Sequence, residues 1–158
     1  RQMCIRDSFY TGDKAEWDAA LEAYRITGRI KDIFKSAKGK YVTPVPIESS
    51  LSGNPFLEQI CVMGAGLPAP VVVVVLSESA AIADREMVTS SLTSTLDNVN
   101  QQLETHERLA HIIVVNDEWT SENGLLTPTL KVKRDVLEEK YCDLISVDYE
   151  SQVVWESG

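Results

Sequence analysis

The spacing of apolar residues changes along this chain, and the changes predict where strands and helices lie. Five consecutive valines within residues 69–77 are typical of a strand covered on both faces. A second apolar run, residues 59–64, precedes them, and the intervening Gly66-Leu67-Pro68 is a strong turn signal. The pattern therefore predicts a β-hairpin over residues 59–77.

The following segment repeats its apolar residues every three or four positions, which is one face of a long amphipathic helix. Ser79 or Asp84 can cap that element. The apolar face consists of Val88, Leu92, Leu96, Val99 and Leu103. A buried strand is predicted at residues 111–115, a loop at residues 119–124, and a short helix at residues 134–141. Val136 and Leu137 would face inward on that helix.

Prolines and turn residues shape the middle of the chain. Residues 40–43 are predicted to be extended, and Pro44 and Pro46 to prevent a helix before Ile47. A short helix would then run through Leu51, and a second would begin at Asn54, with Asn54 as its cap. Residues 144–147 alternate as in a strand, but the pattern does not place the tail. The fold class predicted is α+β, a small mixed or antiparallel sheet flanked by helices.

Composition suits one folded domain, with 44% hydrophobic and 25% charged residues in 158. A net charge of -9 argues against broad binding to nucleic acid or anionic membranes. Local anion binding stays open because the positive residues are grouped. The groups are Lys31, Lys35, Lys38 and Lys40, and Lys131, Lys133 and Arg134.

Three scattered cysteines favour neither a disulfide scaffold nor a zinc site, and a reducing cytoplasm is the simplest compartment. His106 and His111 are too isolated for a metal pair. We expect one on the surface and one at a strand edge. The longest apolar run, residues 71–76, is far shorter than the about 20 residues of a membrane span. Neither a glycine-rich phosphate loop nor a nucleophile–histidine arrangement is present.

Three motifs occur in a fixed order along the chain: Thr11-Gly12-Asp13, Gly28-Arg29-Ile30-Lys31-Asp32, and Leu126-Thr-Pro-Thr-Leu-Lys-Val-Lys-Arg134. With Gly39-Lys40-Tyr41 between them, the chain resembles the C-terminal portion of AMP-forming, acyl-activating ligases from about residue 9 to residue 141. Many members of that superfamily carry glycine before the lysine, whereas Leu130 stands here. The Thr-Pro-Thr-Leu-Lys wording resembles the long-chain fatty-acyl-CoA synthetases.

The resemblance implies that Lys131 is the catalytic residue, contacting the carboxylate of the acid and the α-phosphate of ATP. A fixed ammonium there would offset the repulsion between two anions. Without the resemblance, a lysine near the end of an extended segment is more often simply solvated. Lys133 and Arg134 are interpreted as surface charge or as support for the helix start.

The other motifs acquire roles from the same resemblance. Asp13 would accept hydrogen bonds from both ribose hydroxyls of ATP, and Arg29 would contact the ribose or a nearby phosphate. Taken alone, Thr-Gly-Asp is only a turn signature, and Arg29 would form an ordinary surface salt bridge. Glu48 receives only a structural role at the start of a helix.

Lys31 would be the hinge between two working arrangements of the family. Gly39, Lys40 and Tyr41 would line the coenzyme A channel in the second arrangement. Lys38 and Lys40 could attract coenzyme A phosphates, although a solvated lysine run is equally compatible with the sequence.

The resemblance divides the chain into a non-native leader (1–8), the end of a large N-terminal domain with the approach to the hinge (9–30), and a mobile C-terminal α+β domain (31–158). Within 9–28, residues 9–10 and 23–27 are predicted to be extended around an irregular connection. Trp17 and Leu21 there would need a partner surface to be buried.

The function implied is that of a long-chain fatty-acid–CoA ligase, with fatty acid, ATP, Mg2+ and coenzyme A as its small-molecule partners. This chain would be nearly inactive without the missing N-terminal domain. The expected location is cytoplasmic, with peripheral membrane association of the complete enzyme left open and no nucleic-acid partner. Two alternatives are an adenylating enzyme with another acceptor, such as an acyl carrier protein, and a free-standing regulatory or protein-binding module.

Overall fold

The computed structural model describes residues 11–156. The predicted leader at residues 1–8 and the extended piece at residues 9–10 lie outside the described residues. The described part begins with an antiparallel hairpin of β1 (Asp13–Asp18) and β2 (Ala23–Arg29). The prediction for residues 23–27 is confirmed. The irregular connection is wrong, because residues 13–18 form a strand that pairs with β2, with one register shift between Lys14 and Ala15.

Two features lead from the hairpin into the main body. A 3-10 turn occupies Ile30–Asp32, and a short ribbon pairs β3 (Phe34–Lys35) with β4 (Tyr41–Val42). Helix α1 (Pro44–Leu51) follows directly. The prediction that Pro44 and Pro46 prevent helix before Ile47 is wrong. Proline is compatible with the first helical turn, where its missing N–H would have no intrahelical acceptor.

A four-stranded mixed sheet is the centre of the fold. Its strands are β5 (Leu57–Met63), β6 (Val71–Leu76), β7 (Ile112–Val114) and β8 (Val153–Trp155), in that order. The β5–β6 pair is antiparallel, as the hairpin prediction requires, whereas β6–β7 and β7–β8 are parallel. Helices α2 (Glu78–Ile82) and α3 (Arg85–Gln102) connect β6 to β7, and α4 (Arg134–Lys140) and α5 (Cys142–Ile145) precede β8.

The valine run of β6 separates two hydrophobic cores, as a strand covered on both faces must. Val72 and Val74 pack with residues of α1 and α3, while Val71, Val73 and Val75 belong to the core beneath α4. The predicted face of α3 is confirmed for Val88, Leu92, Leu96 and Val99, which are buried, while the fifth residue, Leu103, follows the helix and is half-buried against the same core. Asp84 caps that helix by accepting a hydrogen bond from the Glu86 amide.

Asn54 does not cap a second helix, and the helix predicted after it is absent from the described residues. Its Oδ1 accepts from the Phe56 amide at 2.9 Å, which closes a turn. Its Nδ2 donates to Thr95 Oγ1 at 2.8 Å and Ser91 Oγ at 3.0 Å on α3. The side chain therefore connects the turn to the long helix, because its amide oxygen bonds the backbone nearby while its amide nitrogen bonds side chains of α3.

One prediction near the C-terminus is wrong, and the structure places the tail that the sequence pattern left unplaced. Val136 is 38% exposed, and only its neighbour Leu137 is buried, because successive helical residues point about 100° apart. Leu144 and Ile145, the first half of the strand-like alternation at residues 144–147, lie in α5, which follows α4 after Tyr141. The strand of the tail is β8 instead.

Candidate functional site

The segment carrying Lys131 is a tight loop and not the extended segment predicted. The Leu130 amide donates to the Thr127 carbonyl at 2.9 Å, which forms a β-turn with Pro128 in the position where proline is favoured. The Thr127 amide donates to the Lys131 carbonyl at 2.8 Å, and the Lys131 amide donates to Thr127 Oγ1 at 3.0 Å. A bridge between Leu126 and Val132 closes the base of the loop.

The tip of this loop presents Leu130 and Lys131 to solvent. Leu130 has a φ of +58° and is 72% exposed. That left-handed conformation favours glycine, which explains physically why glycine suits the position before the lysine. The loop thus holds an exposed ammonium side chain on a backbone fixed by hydrogen bonds.

Arg134, at the first position of α4, is not surface charge. Its guanidinium Nε donates to the Val62 carbonyl at 2.9 Å, and Nη2 donates to Glu48 Oε1. Nη1 lies 3.9 Å from Asp32 Oδ1, and the side chain is only 16% exposed. Burial opposes the charged form, but the charge and hydrogen bond of Glu48, together with the charges of Cys61 and Asp32, outweigh it and raise the pKa of Arg134.

Glu48 lies in the second half of α1, so its predicted role at the helix start is wrong. Its Oε1 accepts from the Val62 amide at 2.8 Å and from Arg134. Glu48 and Arg134 together occupy both backbone groups of Val62 on β5. Sequence inspection missed this cluster because its partners are separated by 72 and 86 positions, and no local spacing signals them.

Asp13 and Arg29, which the motifs single out separately, are brought together by the hairpin. They face each other across β1 and β2, and Arg29 Nε lies 3.6 Å from Asp13 Oδ1. The Arg29 side chain is 67% exposed and that of Asp13 is 28% exposed. Among residues 11–156, no hydrogen bond or ion pair joins either side chain to that of Lys131.

Lys31 is exposed in the middle of the 3-10 turn. The backbone on its N-terminal side is tied to the hairpin, because the Ile30 amide donates to the Gly12 carbonyl at 2.8 Å. A long hydrogen bond of 3.4 Å, from the Ile33 amide to the Ile30 carbonyl, closes the turn across Lys31.

Gly39, Lys40 and Tyr41 form the far side of the β3–β4 ribbon. Gly39 has a φ of +78°, which a turn of this shape requires. Lys40 and Tyr41 are exposed, and Lys35 Nζ lies 5.8 Å from the centre of the Tyr41 ring. Hydrogen bonds from Ala37 to Leu67 and from Gly66 to Lys35, at 2.8 and 2.9 Å, anchor the ribbon to the β5–β6 turn.

The histidines do not share a site. His111 is buried directly before β7, with Nδ1 3.0 Å from the Ser151 carbonyl, whereas His106 lies after α3 beside Glu104. Within the part of the chain that is described, no cluster of three or more His, Cys, Asp or Glu residues could hold a metal ion. The same residues include no helix with the length and apolar character to cross a membrane.

Burial separates the two described cysteines chemically. Cys61 lies in β5 beneath Arg134, and burial raises the pKa of its thiol to about 12 despite the opposing charge of the guanidinium. Cys142 is exposed. Cys61 is therefore an apolar core residue at neutral pH and not a nucleophile.

Comparison with known proteins identifies the family to which this architecture belongs. The family model described as "AMP-binding enzyme C-terminal domain" matches residues 31–153. The chain belongs to that family, as its motifs predicted, and the α+β fold class is confirmed. It is a C-terminal portion of an AMP-forming enzyme.

Individual relatives agree with this assignment. Fatty acyl-CoA synthetase A of Dictyostelium discoideum is 32% identical over 89% of this chain, which spans 24% of that protein. An Arabidopsis thaliana long-chain-fatty-acid–[acyl-carrier-protein] ligase is 31% identical over 78% of this chain and is matched over 18% of its own length. The chain thus spans a quarter or less of these two relatives.

Among solved structures, the A domain of carboxylic acid reductase from Segniliparus rugosus, in complex with AMP and a carboxylic acid, superposes with a TM-score of 0.69. The sequence identity is 27%, and the match covers 85% of this chain and 22% of that one. The mixed sheet and its helices therefore belong to a known architecture.

Proposed function

We propose that this chain is the mobile C-terminal part of a long-chain fatty-acid–CoA ligase. The complete enzyme joins a fatty acid to ATP as acyl-adenylate, releases pyrophosphate, and transfers the acyl group to coenzyme A. Residues 31–158 form the mobile domain, and residues 9–30 are the end of the large N-terminal domain with the approach to the hinge. The chain matches only about a quarter of the length of its relative from Dictyostelium discoideum, which supports a complete enzyme with a much larger additional part.

The exposed Lys131 on its closed loop is the observation that carries this proposal. In the complete enzyme, its ammonium sits at the α-phosphate while the carboxylate of the fatty acid attacks. Charge rises on the phosphate oxygens during attack, so a positive group held there lowers the barrier more than it stabilises the ground state. A loop fixed by its own hydrogen bonds suits this role because little reorganisation is needed.

Asp13 and Arg29 hold the nucleotide in this proposal. The Asp13 carboxylate accepts hydrogen bonds from the two ribose hydroxyls, and Arg29 contacts the ribose or a nearby phosphate. Their separation of 3.6 Å supports a joint role, because one short hairpin presents an acceptor and a donor side by side.

Lys31 is the hinge, and Gly39, Lys40 and Tyr41 line the coenzyme A channel after the domain has turned. The exposure of Lys40 and Tyr41 on an anchored ribbon supports this assignment. Mg2+ accompanies the ATP phosphates in this proposal. We further propose a cytoplasmic location.

A related adenylating enzyme that transfers the acyl group to an acyl carrier protein is the second candidate. The relative from Arabidopsis thaliana, whose name states that acceptor, favours it. Lys131, Asp13 and Arg29 would serve both enzymes, since the adenylation step is shared.

The test is to express the complete reading frame and measure fatty-acyl transfer to coenzyme A and to an acyl carrier protein. We expect transfer to coenzyme A, and little or none from this chain alone. Preferential transfer to the carrier protein would favour the second candidate. A reading frame without a large nucleotide-binding domain upstream would contradict both and favour a free-standing module.

A further inference from the structure

We infer that Arg134 is a positioning residue whose guanidinium acts on two segments. It holds Asp32, at the C-terminal end of the hinge, and it anchors the end of the loop that carries Lys131. Nothing in the motifs marks this role. It rests on the proposed function in taking Lys31 as the hinge and Lys131 as the reacting lysine.

The three contacts of Arg134 reach three separate parts of the chain. Nε binds the Val62 carbonyl of β5 at 2.9 Å, Nη2 binds Glu48 of α1, and Nη1 lies 3.9 Å from Asp32 after the hinge. The planar fork of arginine satisfies such divergent acceptors, and the single ammonium of lysine does not reproduce that geometry.

Asp32 marks the C-terminal boundary of the hinge. On the other side of Lys31, the Ile30 amide is bonded to Gly12 at 2.8 Å, and Arg29 lies 3.6 Å from Asp13. The hairpin therefore holds the chain up to Ile30, and Arg134 holds it from Asp32. Between these anchors only the turn around Lys31 is free to change its torsions, which confines rotation to a very short segment.

The Lys131 loop is attached at the same point. Lys133 donates its amide to the Leu125 carbonyl at 3.0 Å, and the next residue is Arg134. Because the guanidinium is bound to β5 and α1, the end of the loop cannot shift without breaking a buried ion pair. Through Arg134, the end of the hinge and the loop that carries Lys131 are therefore both attached to the same packed unit of α1 and β5.

Hydrogen exchange of the 158-residue chain, followed by mass spectrometry, tests both halves of the inference. Asp32→Asn is expected to raise exchange in residues 29–33 about two- to fivefold, the range of a partly exposed ion pair, and to leave residues 126–133 unchanged. Arg134→Gln is expected to raise exchange in both segments. Asp135→Asn, an exposed change on the same helix, is the matched control and should alter neither.

Unchanged exchange in residues 29–33 of Asp32→Asn would overturn the hinge half of the inference. Unchanged exchange in residues 126–133 of a folded Arg134→Gln would overturn the loop half. If Arg134→Gln does not fold, Arg134→Lys takes its place with the same expectation, since it keeps the charge and loses the fork.

A kinetic measurement on the complete enzyme separates this role from general stability. Arg134→Lys should lower kcat of adenylation about ten- to a hundredfold, as expected for a displaced catalytic group, with KM for ATP nearly unchanged. Equal effects on KM and kcat would contradict positioning. If Lys131→Ala left adenylation intact, the proposed function would be contradicted. The exchange experiment would still test whether Arg134 holds the two segments, because it does not depend on catalysis.

Discussion

Glu48 and Arg134 stand 86 positions apart in the chain and form a hydrogen-bonded ion pair where α1, β5 and α4 meet. Both side chains are largely buried, with exposures of 20% and 16%. A buried charge left without its partner is costly, so the pair constrains how these three elements pack.

Glu48→Gln is expected to lower the free energy of unfolding by about 2 kcal/mol, because it leaves the Arg134 charge poorly compensated. Urea denaturation of the 158-residue chain measures the change. Glu139→Gln, on the exposed face of α4, is the control and should stay within about 0.5 kcal/mol. Equal effects of the two variants would show that the ion pair does not stabilise the fold.

Lys131→Ala in the complete enzyme is expected to slow adenylation at least about a hundredfold, since it removes a charge acting mainly in the transition state. Thioester formation from supplied acyl-adenylate should be spared. Lys133→Ala, two residues along, is the control for loss of positive charge. Equal loss of both half-reactions in the Lys131 variant would point to misfolding instead.

Leu130 gives a prediction whose sign is unusual. At most positions a glycine variant is less stable than the alanine variant. The left-handed conformation of Leu130, however, penalises any residue with a side chain by about 1–2 kcal/mol. Leu130→Gly should therefore be more stable than Leu130→Ala by about 0.5–1 kcal/mol in urea denaturation. An alanine variant as stable as the glycine variant would contradict the loop conformation.

Gly64 is required by both conformation and space. Its φ is +134°, and a Cβ placed there would lie 3.1 Å from the Pro70 Cα. Gly64→Ala should cost more than about 2 kcal/mol, because strain and a backbone clash combine. Gly66→Ala, with φ +75° and nothing within 4 Å, should cost only about 1 kcal/mol.

A third glycine variant completes that series. Gly53→Ala meets nothing within 4 Å, and its φ lies outside the left-handed region, so it should be neutral or slightly stabilising. Thermal unfolding of the three proteins measures the order. Any order other than Gly64 the most damaging and Gly53 the least would be inconsistent with the turn geometry.

Asp117 and Lys140 predict a pH dependence. Lys140 Nζ lies 2.8 Å from Asp117 Oδ2, and the hydrogen bond and charge of Lys140 hold the pKa of Asp117 below its usual value. A depressed carboxyl pKa adds stability above the unfolded-state pKa, and that stability is lost as the pH falls through the folded-state pKa. The contribution is below about 1 kcal/mol, since both side chains are substantially exposed.

Lys140→Gln should therefore raise the pKa of Asp117 and remove the acid-side loss of stability that this pair contributes. NMR titration of the Asp117 carboxyl carbon measures it directly. Lys40→Gln, a change on the distant β3–β4 ribbon, should leave the titration of Asp117 unchanged. An Asp117 pKa insensitive to Lys140 would refute the pairing.

The sequence by itself determined the elements whose signal is local. The valines of β6 and the repeat from Val88 to Val99 predicted a doubly covered strand and an amphipathic helix, because side-chain direction follows from backbone period alone. Motif order likewise identified the family. Local rules failed where short-range signals conflict, as at Pro44, which begins α1, and at Asn54, whose side chain serves α3.

Only the tertiary structure decided which distant residues meet. It paired Asp13 with Arg29, buried Arg134 against Glu48 and Asp32, and set Leu130 in a left-handed conformation within the loop. The two ion-pair sites join groups that are far apart in the sequence and that lie close together only in the folded chain. Residue spacing and composition therefore do not predict which of these charged residues pair with each other.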